Sequence, residues 1–344
     1  MNITSIIKSI RDIMRKDAGV DGDAQRISQM VWMLFLKIFS DKEEEWDITI
    51  KNYESPIADK FKWDTWAANQ EGMTGDELMD FIDNELFPAL KEIDTTTSEQ
   101  AKIVKAVFED TYNYMKNGTL FRQVINQIGK IDFNSSKDSH VFNDLYETIL
   151  KELQSAGSSG EYYTPRPLIR AMIKVTDPKI GETIYDGAVG SAGFLCEAYD
   201  YMRTDNLSAS DFETLQTKTL YGQEKKGLAY IIGIMNMVLH GIEAPNLIHS
   251  NTLNENVMDI QEKDRHDVIL ANPPFGGGER REVQQNFPIR TGETAYLFLQ
   301  HFIRKLKAGG RAAVVIKNTF LSNTDNASVA LRKELLEAAE LHTI

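Results

Sequence analysis

Hydrophobic periodicity changes once along the chain, near residue 155, and that change limits the fold more than any other feature. Before it, apolar residues recur at helical spacing. Ile6, Ile10, Ile13 and Met14 share one face of a first segment. Asp23 stands where it could cap a second helix, with Ile27, Met30, Val31, Leu34, Ile38 and Phe39 as its wide apolar stripe. Thr74 and Glu77 have capping-box spacing ahead of Leu78, Phe81, Ile82 and Leu86. Two more helices are expected, from Ser98 to Met115 and from Ser139 to Leu153. No stretch alternates with period two over strand length, so residues 1–154 read as an all-α domain.

Ser155-Ala-Gly-Ser-Ser-Gly160 is small and flexible in composition and reads as a linker. Beyond it strands and helices alternate. Strands are expected at Thr183–Asp186, Thr219–Gln223, Leu247–His249, Asp267–Ala271 and Arg311–Ile316. Helices are expected at Ala192–Met202, Lys226–His240, Ala295–Leu306 and Ala327–Glu340. That alternation implies a parallel, doubly wound α/β sheet covered on both faces, over residues 155–344. Leu341-His-Thr-Ile344 reads as the opening of another strand, and the chain as a piece of a longer protein.

Charge divides at the same place. Residues 1–150 hold 17 basic and 27 acidic side chains, and the remainder 21 and 24, for a total of −13. Such acidity argues against gripping duplex DNA by charge alone, since phosphate neutralisation needs clustered Lys and Arg. The single cysteine, Cys196, cannot close an internal disulfide, and no Cys/His cluster offers a metal site. A reduced, cytoplasmic setting is expected. The apolar run Met30–Phe39 contains Lys37 and is too short to span a bilayer.

Three constellations carry chemistry. The first is Asp186-Gly-Ala-Val-Gly190-Ser191-Ala-Gly193-Phe194, between a strand and a helix. Glycines let backbone approach a ligand, and a helix N-terminus offers unpaired N–H donors. An acid at the strand end suits a cation such as an ammonium group. Alone, the loop is equally consistent with a tight turn that binds nothing. The second is Glu224, at the end of the next strand; alone it reads as a solvated surface residue, but in register with the glycine loop a carboxylate there can accept both hydroxyls of a ribose. The third is Asn272-Pro273-Pro274-Phe275, which follows the strand Asp267–Ala271 directly. Two prolines fix the backbone and remove two N–H donors, leaving rigid acceptors beside an aromatic face. Such a pocket suits an exocyclic amino group on a planar ring, with Asn272 and the Pro273 carbonyl each accepting one N–H and Phe275 stacking.

With these residues in view the chain resembles the amino-methyltransferases that use S-adenosylmethionine, chiefly N6-adenine DNA methyltransferases. The order, cofactor loop before tetrapeptide, is that of the gamma class. Gly160-Glu-Tyr-Tyr163-Thr164-Pro165 looks like the motif that closes over the cofactor's methionine end. Asp12, Arg26, Trp32 and the run Leu34-Phe-Leu-Lys-Ile-Phe-Ser-Asp-Lys42 are similar to the N-terminal domain of type I restriction–modification methylase subunits. The resemblance implies a Rossmann-like methyltransferase sheet with S-adenosylmethionine as cofactor and no metal. It implies that Tyr163, Thr164, Pro165, Asp186, Gly190, Ser191, Gly193 and Phe194 surround the methionyl part. Glu224 would hold the ribose and Asn251, where an Asp is usual, the adenine. Gly187 in place of a usual Pro implies a softer loop, and Lys317-Asn-Thr-Phe in place of Pro-Asn-Gly a reshaped rim. The implied partners are double-stranded DNA, a specificity subunit, a second modification subunit and a restriction subunit, with no membrane.

Two other readings stay open on the sequence. Asn-Pro-Pro-aromatic also occurs in methyltransferases acting on RNA bases or protein glutamine, and the chain could be a non-catalytic assembly scaffold. Other notable residues have plain readings. Cys196, Trp63 and Trp66 are expected in the core, and Lys42-Glu-Glu-Glu as a solvated helix end. Arg280, Arg281 and Arg290 follow the tetrapeptide closely and are placed to meet phosphates.

Overall fold

The computed structural model describes residues 3–133 and 164–344. The helix expected at 139–153, the linker and Tyr163 lie outside the described residues. The chain splits into two compact units, Met1–Ser159 with Ile234–Ala244, and Gly160–Gly233 with Pro245–Ile344.

In the first unit a helix runs Ile3–Met14 and a second Gly22–Thr49. The second is buried nearly all round through its middle, where Met30 to Leu36 are all at most 1 % exposed, so it is a central element rather than a striped one. Its N-cap is Asp21, not Asp23. Asp23 lies in the first turn, where its carboxylate meets the helix dipole and pairs with Arg26 at 2.7 Å and Arg11 at 3.0 Å. The helix also runs past the acidic run: Glu43 is half-buried and accepts the Tyr53 hydroxyl at 2.8 Å. Trp32 packs edge-on against Phe87 and Phe108, and Trp63 and Trp66 are core residues as expected.

Two helix ends differ from expectation. Thr74 precedes the helix Gly75–Asp80 but makes no side-chain cap, and a π-helical turn, Phe81–Leu86, follows. Ser98 does cap its helix, accepting Ala101 N–H at 3.0 Å, but the helix stops at Glu109. Beyond it the backbone finds partners elsewhere. Tyr114 N–H donates to Gln29, and Lys116 and Asn117 N–H donate to the buried Asp17 carboxylate. Asn117 then caps a further helix, Gly118–Ile128.

The second unit holds a five-stranded parallel sheet. Its strands are β1 Ile184–Asp186, β2 Leu220–Glu224, β3 Asn246–His249, β4 His266–Ala271 and β5 Leu306–Val314, in the order β3-β2-β1-β4-β5. β5 starts earlier than expected, passing through Gly309-Gly310 with a register shift against β4. Leu341 to Ile344 carry no regular structure. Behind one face lie Ile269, Leu297, Phe298 and Phe302. The helices Gly193–Met202 and Arg166–Thr176 contribute Leu195, Cys196, Tyr199, Ile169 and Ile173 to the buried interior. Strand order reverses between β1 and β4, which places a crevice at their adjoining carboxyl ends, the usual ligand site of open α/β sheets. Among the described residues no helix is long and apolar enough to cross a membrane, and no group of His, Cys, Asp and Glu is placed to hold a metal ion.

Candidate active site

β1 ends at Asp186 and β4 runs into Asn272, and these strands are direct neighbours. At roughly 4.8 Å between strands and 3.3 Å per residue, the two backbones lie on the order of 8 Å apart. Asp186 is 1 % exposed, and among the described residues its carboxylate accepts the Ala188 N–H at 3.0 Å. Burial pushes its carboxyl up to about 8, opposed by the Ala188 N–H and reinforced by the charge on Glu224.

The loop after Asp186 is built by cross-strand bonds. Val189 N–H donates to the Gln223 carbonyl at 3.1 Å. Gly190, at φ +52°, donates its N–H to Glu224 Oε2 at 2.9 Å, while Oε1 accepts Lys226 N–H at 2.8 Å. Glu224 thus pins the loop and keeps lone pairs for a further donor. Ala192 is also left-handed, at φ +61°, a conformation that costs a residue with a Cβ about 1–2 kcal/mol. It starts the helix Gly193–Met202, whose N-terminus has no side-chain cap. Ser191 and the buried Phe194 flank that turn. The loop is not slack at Gly187: the Thr252 hydroxyl donates to its carbonyl at 2.5 Å.

Asn251 follows β3 and caps a short 3₁₀ turn, accepting Leu253 N–H at 3.2 Å, with its amide NH2 donating to Asn254. The side chain is therefore engaged locally, though its oxygen keeps a second lone pair.

In the tetrapeptide, Pro273 is buried and Asn272, Pro274 and Phe275 are partly buried. Asn272 Nδ2 donates to Thr164 Oγ1 at 2.9 Å, and Asn272 Oδ1 is buried with no partner among the described residues. Lys317 reaches over the Phe275 ring, 6.0 Å from its centroid, and faces Glu293 at 3.6 Å. Glu293 also accepts Gly276 N–H at 3.2 Å. Lys317 thus lies against the last residue of the tetrapeptide. Lys225, next to Glu224, meets Glu279 at 3.8 Å and so links the loop after β2 to the segment after the tetrapeptide. Arg280, Arg281 and Arg290 are exposed.

Some of the architecture escaped the sequence. A Cβ on Gly233 would stand 2.9 Å from the Gly190 carbonyl oxygen, and one on Gly222 would stand 2.9 Å from Val189 Cγ2. These glycines let a helix and a strand back directly onto the loop. Only the density of glycines around residues 222–233 hinted at it.

The N-6 DNA Methylase family profile matches residues 137–344, and an HsdM N-terminal domain profile matches residues 3–128. The EcoEI type I restriction enzyme methylase subunit of Escherichia coli is 49% identical over 350 residues, covering 100% of this chain and 71% of that one. The chain belongs to the type I methylase subunits of the N-6 DNA methylase family. The StySJI methylase subunit of Salmonella typhimurium is 28% identical and covers 96% of this chain and 60% of its own length. A crystal structure of a modification subunit assigned to a type I restriction enzyme of Vibrio vulnificus superposes with a TM-score of 0.88 at 40% identity, over 97% of this chain and 75% of that one. This type I methylase subunit is thus a DNA N6-methyltransferase of the modification type, and its chain spans 60–71% of the curated relatives just named. Membership implies dependence on S-adenosylmethionine.

Proposed function

We propose that this subunit methylates N6 of an adenine extruded from duplex DNA, and that another polypeptide reads the sequence. The observation that carries the proposal is the Asn272 amide. Its oxygen is buried and, among the described residues, without a partner, beside a rigid diproline and an aromatic ring, at the strand end adjoining Asp186. A buried acceptor without a donor is costly, so the site favours a ligand that brings an N–H.

The residues fit S-adenosylmethionine by their chemistry. Asp186 is a buried, uncompensated acid suited to the ammonium group. Gly190, Ser191, Gly193, Phe194 and Pro165 would enclose the methionyl part, Glu224 the ribose and Asn251 the adenine. When bound, the cofactor supplies a methyl group on a sulfonium already activated for transfer. The chain's own contribution is positioning. Asn272 Oδ1 and the Pro273 carbonyl accept the two amine hydrogens, which leaves the nitrogen lone pair directed at the methyl carbon. Phe275 holds the ring by stacking worth about 1–3 kcal/mol, against an extrusion cost of a few kcal/mol.

The proposed partners are double-stranded DNA, a specificity subunit, a second modification subunit and, in the full complex, a restriction subunit, all in the cytoplasm. A net charge of −13 supports dividing the labour, since it repels a polyanion and leaves local basic loops to touch it. The test uses full-length protein, tritiated cofactor and unmodified DNA, with RNA and protein substrates in parallel. Cofactor binding by the subunit alone, with site-specific DNA methylation only after a specificity subunit is added, is the expected result. Site-specific methylation by the subunit free of any partner would overturn the division of labour, and label entering RNA or protein instead would overturn the substrate.

A further inference from the structure

We infer that Thr164 is the positioning residue that aims the Asn272 amide, turning its oxygen rather than its NH2 toward the amine to be methylated. This rests on the amine-methylation reading above and goes beyond it, because the motif containing Thr164 was expected only to close over the cofactor.

An amide side chain has two opposite ends. Its oxygen accepts an N–H, whereas its NH2 would set donor against donor. Asn272 Nδ2 donates to Thr164 Oγ1 at 2.9 Å, and Oδ1 is buried with no partner among the described residues. A hydroxyl could in principle serve either amide end. Once an amine donates to Oδ1, however, the other end is NH2 and its partner must be an acceptor. Thr164 Oγ1 stands where that acceptor is needed.

Its placement is firm. Pro165 follows it, which confines the Thr164 backbone to extended conformations, and begins the turn into the helix Arg166–Thr176. That helix is fastened by Arg166 and Arg170 to the buried Glu197 carboxylate, at 3.1 and 2.8 Å, and by the buried Ile169 and Ile173. The hydroxyl is thus carried on a helix with its own anchorage, separate from β4, and joins the tetrapeptide across 108 residues of sequence.

The test compares Thr164→Val, which keeps the shape and removes the hydroxyl, with Thr164→Ser, which keeps it. Each is assayed in the full-length subunit assembled with its specificity partner, on unmodified DNA, with thermal melting to verify folding. We expect Thr164→Val to lower kcat by about 10- to 100-fold, less than the roughly 100- to 1000-fold cost of directly removing a transition-state hydrogen bond, because Thr164 acts through Asn272. The cofactor Kd by calorimetry should stay within about twofold, and Thr164→Ser should recover most of the rate. In an Asn272→Ala background Thr164→Val should cost nothing more, since the two act as one unit. Weakened cofactor binding with unchanged kcat would assign the hydroxyl to the cofactor and overturn the inference. So would an undiminished loss in the Asn272→Ala background. If the wild-type assembly binds cofactor but never methylates DNA, the functional reading itself fails, an outcome separate from either.

Discussion

Asp186 makes cofactor binding a proton-linked event. Its carboxyl is raised to about 8, mainly by burial, so at pH 7 the free protein holds it neutral. If the ammonium end of the cofactor requires the carboxylate, binding at pH 7 must first ionise it, at about 1.4 kcal/mol per pH unit below 8. The ionised fraction is about 1% at pH 6 and about 24% at pH 7.5, so affinity should rise roughly 25-fold between them. The window stops there because an α-amino group begins its own titration near 7.7–8.0. Calorimetry in two buffers of different ionisation enthalpy should show close to one proton released per cofactor at pH 7. Asp186→Asn should bind more weakly and lose the slope. Affinity that does not change between pH 6 and 7.5, or a slope that survives in Asp186→Asn, would refute the assignment of this carboxylate to the cation.

Three further outcomes are expected. Asn272→Ala should cut turnover ~100-fold or more while sparing cofactor affinity, and Phe275→Ala should weaken capture of the flipped base; near wild-type methylation by Asn272→Ala would contradict the mechanism. Gly233→Ala brings a methyl group to 2.9 Å from the Gly190 carbonyl oxygen, where about 3.4 Å is needed, so the loop must shift by about 0.5 Å. Calorimetry should show weaker cofactor binding even though alanine favours the helix by about 1 kcal/mol. His266 and His301 are held neutral, chiefly by burial, with values lowered to about 4 and about 3. The unfolded chain takes up those protons below about 6.5, so stability is present above that pH and is lost as pH falls toward 4, by roughly 3 kcal/mol from His266 alone. Melting temperature followed from pH 7 to 4 should fall steeply, and a flat profile would contradict the burial.

Legibility from sequence tracks how local the deciding interaction is. β1, β2 and β4 could be read because apolar runs end at an acid or a proline, and each signal lies within a few residues. Ser98 was readable as a cap because its partner is Ala101. The overrun to Met115 had a distant cause. Residues 114–117 leave the helix because Gln29 and the buried Asp17 satisfy their N–H groups across 85–100 residues of sequence. Asp23 looked like a cap, but Arg11 and Arg26 give its charge a use within the first turn of the helix. The last strand was expected only from Arg311, yet β5 already includes Gly310, where a Cβ would meet the Asp267 carbonyl at 2.8 Å. Glycine there serves close strand approach.

The site divides along the same line. Asn-Pro-Pro-Phe declares its chemistry because its acceptors and its stacking face are contiguous, and two prolines fix them wherever they occur. What a contiguous motif cannot encode is direction. An asparagine amide has a donor and an acceptor end of nearly the same shape, and nothing within the tetrapeptide chooses between them. Here the partner of Nδ2 is Thr164, carried on a helix that Glu197 fastens through two arginines. The glycine loop alone fits a bare turn as well as a ligand, and its position is set by Thr252 on Gly187, by Glu224 on Gly190 and by the bare backbone of Gly233 behind it. These residues make no motif together because only the fold brings them to one strand end. Thr164→Val and Gly233→Ala are therefore each expected to impair the site with the tetrapeptide and the glycine loop intact.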